Sequence, residues 1–205
     1  MKTKSKALIL ALCAVLLVTA SVFGTMAYLT STDEVKNTFT VGSVAITMDE
    51  KDVDQSTQGA DRDQANSYKL LPGHEYEKDP TIHVDPNSED CYLFVKVENG
   101  IEGIEQAGTT TVANQMAAKG WKLVRGQTNV YVYVGTADAN DPATVSKDAD
   151  VPVFEKIAIA GTTVDNDTLK AYEGKTITVT AYAVQKDGFE GKSAADIWAA
   201  AFPTV

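Results

Sequence analysis

The chain has 205 residues, a formal net charge of −10 and an isoelectric point of about 4.6. Its 18 lysines and arginines form no basic cluster of the kind that binds nucleic acid or an anionic membrane, so both classes of partner are excluded. With only two cysteines, Cys13 and Cys91, the chain is not a small secreted domain held together by a disulfide framework.

The N-terminus has the organisation of a secretory signal peptide. Three lysines precede an apolar run over residues 7–22, and the small residues Thr25 and Ala27 occupy positions −3 and −1 of a cut before Tyr28. We therefore predict that residues 1–27 are removed on export and that the secreted protein begins at Tyr28.

Cleavage at this point would leave 178 residues, which is enough for one domain with a hydrophobic core. It removes three lysines and no acidic residue, so the formal charge changes from −10 to −13. The alternative is an uncleaved anchor, because the apolar run is almost long enough to span a bilayer. No cluster of positive charges follows the run, and the next charged residues are Asp33 and Glu34, so cleavage is favoured.

Alternating apolar residues recur along the rest of the chain. In the first such segment Val44, Ile46 and Met48 share one face, and in the segment CYLFVKVE the residues Cys91 and Leu93 do the same. Gly, Pro, Asn or Asp residues bound each segment. Runs of period two separated by turn residues predict an all-β fold. The other segments read TIHV, WKLV, VYVYV, VFEKIAIAG and KTITVTAYAV.

Two short helices are predicted between and after these strands. The segment TTTVANQMAAKG begins with threonines that can cap a helix and stops at Gly120. The segment KSAADIWAAAF has Ser193 as its expected N-cap and stops before Pro203. Because Ile197 and Trp198 fall on one stripe of this second helix, we expect it to pack on a sheet.

One domain is expected after the signal peptide. Residues 49–67 are polar, acidic and free of aromatic residues, and they predict a long loop. There is no internal repeat and no second boundary. We therefore interpret residues 41–205 as a single β-sandwich domain and residues 28–40 as a segment that precedes it.

No catalytic or cofactor-binding residue is assigned, because the chain has no G-x-S-x-G elbow, P-loop, dinucleotide fingerprint or C-x-x-C pair. The histidines His74 and His83 lie nine residues apart with Pro80 between them, so a helix cannot align them as in the HExxH motif. With the carboxylates around them they are candidate ligands of an irregular metal site. The expectation is nevertheless a protein without a metal.

Several clusters of acidic residues are candidate Ca²⁺ ligands. The pair Asp165 and Asp167 does not fit an EF-hand loop, because position 6 of that loop would be Lys170 instead of glycine. Oxygen-rich loops can hold Ca²⁺ without that motif, whereas solvated turns have the same composition. Further acidic clusters contain Asp49, Glu50, Asp52 and Asp54, then Asp61 and Asp63, then Asp138 and Asp141.

The junction GTMAYLTSTDEVKNTFTVG, residues 24–42, resembles that of the TasA/camelysin family, whose members are Gram-positive secreted proteins processed by the signal peptidase SipW. Shared features are an apolar run, Gly-Thr-x-Ala, an aromatic residue after the cut, a Thr-Asp step and NTFTVG. The segments LLPGHEYEKDPTIHVDPNSEDCYLFVKVENG, VFEKIAIAG, ITVTAYAVQKDGF and AADIWAAAF are also similar to the family. The matching junction residues are Gly24, Thr25, Ala27, Tyr28, Thr32, Asp33, Asn37, Phe39, Val41 and Gly42.

This resemblance implies a jelly-roll-like β-sandwich that is exported and assembles into biofilm-matrix fibres at the cell surface or in the extracellular matrix. The expected partners are SipW and further copies of the chain, with no membrane contact after cleavage. The segment freed by cleavage, which contains Leu29, Val35 and Phe39, would pair with the sheet of the next subunit as a donor strand.

Two alternatives stay open. A surface adhesin or ligand-binding sandwich, with or without Ca²⁺, would have the same strand pattern. The camelysin branch of the family implies a metalloendopeptidase, which would need His74 and His83 as metal ligands. No metal-binding motif of that branch is matched in this chain.

Overall fold

The computed structural model describes residues 6, 11–17, 42–56, 59–136 and 138–203. Two compact units divide the chain, Met1–Val41 and Gly42–Val205. In the first, residues 11–17 are helical. Within the described ranges no helix combines the length and the apolar character that crossing a bilayer requires. The predicted processing site and donor segment, with Thr25, Ala27, Tyr28, Leu29, Val35 and Phe39, lie outside the described residues.

The described part of the second unit consists mostly of short strands. They are β1 (Ile46–Lys51), β2 (Arg62–Asp63), β3 (Glu75–Glu77), β4 (Thr81–Val84), β5 (Cys91–Asn99), β6 (Trp121–Leu123), β7 (Val130–Tyr133), β8 (Asp150–Pro152), β9 (Lys156–Ala158) and β10 (Ile177–Gln185). The helices are α1 (Val112–Ala118), α2 (Asn166–Lys170) and α3 (Ala194–Ala201), with a 3-10 turn at Glu102–Ile104.

The strands pair antiparallel in three sheets. The first sheet has the order β2-β1-β4-β8, the second has the order β10-β5-β7-β6, and β3 pairs with β9. The longest ladder joins β5 to β10 over nine residues, from the pair Asn99 and Ile177 to the pair Cys91 and Gln185. A mostly antiparallel β fold with a few short helices confirms the predicted β-rich class.

Both four-stranded sheets contribute to one hydrophobic core. Ile82 from β4 and Val151 from β8 pack in the same cluster as Leu93 and Val95 from β5. Cys91 belongs to this cluster as well and is fully buried. The alternation in CYLFVKVE therefore identified the side of β5 that faces the core.

The opposite side of β5 is also buried, because α3 covers it. Phe94 packs with Ile197 and Trp198 in a second cluster, and the ring centroids of Phe94 and Trp198 are 5.5 Å apart. The side chain of Ser193 accepts a hydrogen bond from the Asp196 N–H and caps α3. The predicted position and packing of this helix are confirmed.

The helix α1 also forms where the sequence predicts it. Its N-cap is Thr111, whose hydroxyl accepts from the Asn114 N–H, and the helical turn ends before Gly120. Gly120 has a φ of 84°, in the left-handed region that favours glycine after a helix. The short helix α2 was not predicted.

The polar loop expected over residues 49–67 is shorter than the sequence predicts. Its first residues complete β1, and β2 pairs with them, Glu50 opposite Asp63 and Lys51 opposite Arg62. The Arg62 guanidinium binds the Asp49 carboxylate and, at 2.8 Å, that of Asp79. Charged side chains hold this hairpin, so apolar periodicity does not reveal it.

Candidate functional site: a groove beside two strand edges

An open groove with a volume of about 920 Å³ lies along β1 and β10. Residues 46–50 of β1 and residues 174–181 around the start of β10 line it. Apolar side chains from β9 and from the connecting segments also line the groove. These are Ile157 of β9, with Tyr68, Leu70 and Ile101.

One border of the groove is a long edge strand. β10 ends the second sheet, and its nine residues, ITVTAYAVQ, include no charge, no proline and no glycine. Natural sheets protect their edges with short strands, prolines or charges, because an open edge can pair with another chain. The edge of β10 has none of these protections.

The other edges of the two large sheets are protected in these ways. β2 has only two residues, both charged, and β8 has three, including Asp150 and Pro152. β6 also has three residues, with Lys122 at its centre. Among the four outer edges of these sheets, β10 alone is both long and uncharged.

β1 contributes a second open edge to the groove. β2 pairs with Glu50 and Lys51, whereas residues 46–49 pair with β4 and have no strand on their other side in the described part of the chain. Main-chain groups of both β1 and β10 therefore border the same opening.

Apolar side chains beside the groove are only half buried. Ile46 and Met48 of β1, and Ile177 and Val179 of β10, pack against the main core but keep intermediate exposure. Leu93, from the neighbouring strand β5, is 0% exposed. The groove thus exposes the inner faces of two strands whose neighbours are fully covered.

The residues just before β1 make hydrogen bonds of the kind that a strand makes. The carbonyls of Ser43 and Ala45 accept hydrogen bonds of 3.0 Å from the N–H groups of Glu89 and Asp85. Alternate carbonyls therefore point to the same side, as in a strand. Residues 43–45 therefore continue the line of β1.

The two predicted metal-site histidines occupy different surroundings. His74 lies in a turn, where its Nδ1 is 3.1 Å from the Pro72 carbonyl oxygen. His83 lies on β4 between two carboxylates, with Nδ1 2.6 Å from Asp150 Oδ1 and Nε2 3.1 Å from Asp49 Oδ1. Neither histidine belongs to a group of three or more metal-ligating side chains in the described residues.

The carboxylates around His83 favour its charged form. Partial burial by itself lowers the pKa of His83, but the hydrogen bonds and charges of Asp150 and Asp49 outweigh it, so the pKa is raised. For Asp49, burial acts to raise the pKa, but the hydrogen bonds from Arg62 and His83 outweigh it, so that pKa is lowered. This network joins β1, β2, β4 and β8 on the outer face of the first sheet.

Three carboxylates from two of the acidic clusters in the sequence come together. Ligand oxygens of Asp52, Asp54 and Asp63 lie within 4.8 Å of one another. They are already hydrogen-bonded: the Ser67 N–H donates to Asp54 at 2.6 Å, and the Ser56 hydroxyl donates to Asp63 at 2.7 Å. These hydrogen bonds hold a polar turn in place, and this structural role explains why the three carboxylates lie together.

Two other residues singled out in the sequence have structural roles. Asp165 caps α2 by accepting from the Thr168 N–H at 2.8 Å, which explains one acidic pair. Burial raises the pKa of the Cys91 thiol to about 11, so it remains protonated in the core.

Comparison of the chain with known proteins finds no matching family model, no matching curated protein and no matching solved structure.

Proposed function

We propose that this protein is a secreted structural subunit that assembles into extracellular fibres, with the groove beside β10 as the acceptor for a strand from the next copy. The observation that carries the proposal is the edge of β10, which is long, uncharged and next to half-buried apolar side chains. Strand addition to such an edge gains main-chain hydrogen bonds and fills side-chain pockets. The role involves no catalysis and no cofactor.

The proposed donor is the segment of residues 28–40. Val35 and Phe39 have the same parity, as does Leu29, so in a strand they would point to one side. The even-numbered residues from 34 to 40 are all polar and would point to the other. A nine-residue strand such as β10 spans ~30 Å, which a 13-residue segment can match.

Donation to a neighbour would produce a filament. Residues 43–45 are held in line with β1, so the preceding segment would have to reverse direction to reach the groove of its own subunit. A head-to-tail contact between different surfaces does not close on itself unless its rotation forms a ring. Removal of the signal peptide would free the donor, and a SipW-like peptidase would thereby control assembly.

The TasA/camelysin resemblance supports the same function and adds a finer fold, a jelly-roll-like sandwich in a Gram-positive extracellular matrix. We include that fold in the proposal.

The first experiment compares the chain beginning at Tyr28 with a chain that lacks residues 28–39. We expect filaments or large oligomers, seen by electron microscopy and sedimentation, for the longer chain only. Identical monomers in both samples would contradict the proposal.

A point variant tests the acceptor separately. Val179→Lys places a charge in the groove and should abolish assembly while circular dichroism shows an unchanged fold. Its matched control is Leu123→Lys, at the edge strand β6, where the leucine is already 57% exposed. This control should still assemble. Assembly of the Val179 variant at the normal rate would exclude β10 as the acceptor.

The metalloendopeptidase alternative is tested by zinc content and casein cleavage. We expect neither bound zinc nor cleavage. Proteolysis that disappears when both His74 and His83 are replaced would establish the alternative.

A further inference from the structure

Three side chains at the polar end of the groove meet at one carboxylate. Glu50 Oε2 lies 2.6 Å from Lys78 Nζ, and Glu50 Oε1 accepts from Asn66 Nδ2 at 3.1 Å. The side chains of Glu50 and Lys78 are only 6% and 12% exposed. Every other lysine–carboxylate pair in the described residues has a carboxylate that is at least half exposed.

The amide of Asn66 is held on both sides. Its Oδ1 accepts from the backbone N–H of Val53 at 2.8 Å and from that of Asp54 at 3.4 Å. Its Nδ2 also donates to the Lys51 carbonyl at 2.8 Å. Two N–H groups directed at an amide oxygen polarise the carbonyl and would stabilise a negative charge on that oxygen.

We propose that Lys78 and Asn66 become joined by an intramolecular isopeptide bond, formed by the folded protein with Glu50 as acid and base. The bond formed links Lys78 Nζ to Asn66 Cγ, and the bond broken links Cγ to Nδ2. The released group is ammonia. No electrons are transferred, so the reaction needs no oxidant or cofactor.

The contacts supply each step of this exchange. Glu50 takes a proton from the Lys78 ammonium, and the neutral amine attacks Asn66 Cγ. The oxygen of the tetrahedral intermediate accepts from the Val53 and Asp54 N–H groups. Glu50 then protonates Nδ2, which leaves as ammonia. The remaining extra proton on Nζ passes through Glu50 to the ammonia, so the carboxylate is regenerated.

The reacting groups are shielded from solvent. The side chains of Glu50 and Lys78 are almost completely buried, so water has little access to them. Lys78 Nζ lies 5.8 Å from the ring centroid of Tyr68, which helps to cover the pair. Lys78 and Asn66 bind opposite oxygens of one carboxylate, and the attack requires the lysine side chain to rotate until Nζ reaches Asn66 Cγ.

The bond would fasten one border of the groove. It would connect the segment after β2 with the segment before β4, and both border β1. A covalent cross-link restricts the unfolded chain and thereby stabilises the fold. The inference does not depend on fibre formation, since all the groups belong to one chain.

Intact-mass spectrometry of the folded, full-length protein tests the proposal. We expect a mass lower by one ammonia than the sequence mass, and fragment ions that join the peptides containing residues 66 and 78. Lys78→Arg and Glu50→Gln should each keep the full mass, while Lys119→Arg, which changes a lysine paired with the exposed Glu155, should still lose ammonia.

Three results would overturn the proposal. The first is an unmodified mass in folded protein after prolonged incubation. The second is loss of ammonia that persists in folded Lys78→Arg, because it would place the reaction elsewhere, such as at the Asn99-Gly100 sequence. The third is the mass increase of simple deamidation at Asn66.

Discussion

The two strands of the longest ladder differ in burial although their sequences share the same alternation. Val97 on β5 is 5% exposed, whereas its cross-strand partner Val179 on β10 is half buried. β5 has a strand on each side, β10 and β7, and α3 over its outer face. Among the described residues, β10 has a strand on one side only. The β5 region is thus the closed side of the molecule, and the β1 and β10 region is the open side.

This difference shows that residue type alone does not decide how much apolar surface a strand buries. Val97 and Val179 are identical, occupy paired positions and face the same cluster. What differs is whether another strand lies alongside. An open side with core-like side chains is the arrangement expected of an assembling subunit, and it would be a liability in a protein that stays monomeric.

The largest expected effect comes from truncating this valine pair. In monomeric protein, Val97→Ala should lower the free energy of unfolding by about 2 kcal/mol, and Val179→Ala by about 1 kcal/mol, because the second site is already partly hydrated. Urea denaturation followed by tryptophan fluorescence measures both.

The variant with the smaller effect on stability should have the larger effect on assembly. Val179→Ala should weaken filament formation more than Val97→Ala, because a bound donor strand would cover Val179. If both variants lost the same free energy of unfolding as monomers, Val179 would be as well buried in solution as Val97, which would contradict an open side.

The sequence predicted the parts of this fold that depend on local pattern. β5, β10 and α3 were found from apolar periodicity and a capping serine, because those signals lie within the elements themselves. The strands β2, β3 and β8 were missed, since they have two or three residues and are rich in charge or proline. These three strands are held in place by the strands they pair with and by tertiary contacts, which the local sequence does not show.

The groove could not be predicted, because it depends on which strands end up at an edge. The uncharged segment ITVTAYAVQ was visible in the sequence, but it would look the same in the middle of a sheet. The meeting of Glu50, Asn66 and Lys78 has no motif either, since these residues are up to 28 positions apart. Only the strand order brings them together.

An intermediate effect is expected from pH, through His83, which lies on β4 and binds Asp49 of β1 and Asp150 of β8. The raised pKa of His83 means that its protonated form stabilises the fold. This contribution is complete below the ordinary histidine value of about 6.5 and is lost as pH rises through the raised pKa. Partial exposure of the site limits the size of this loss.

Denaturation at a series of pH values tests this, with His83→Gln and His74→Gln as the matched pair. The His83 variant should lack the decrease at higher pH, and the variant of His74, in an exposed turn, should retain it. The lowered pKa of Asp49 acts in a separate, acidic range, where stability is lost as pH falls through that pKa. Wild-type stability that stays constant above neutral pH would contradict the assignment to His83.

The smallest effect is expected from Asp165, one of two helix caps that can be compared. Ser193 caps α3, which buries Ile197 and Trp198, whereas Asp165 caps α2, which has no fully buried residue and precedes β10. Ser193→Ala should lower the free energy of unfolding of the whole domain by about 1 kcal/mol. Asp165→Ala should instead fray α2 locally, because few buried contacts couple that helix to the rest.

Amide hydrogen exchange distinguishes the two variants. Protection should fall across the β5 ladder in Ser193→Ala and only around α2 in Asp165→Ala. A loss of protection across the whole domain in Asp165→Ala would contradict this expectation, because it would show that α2 unfolds together with the core.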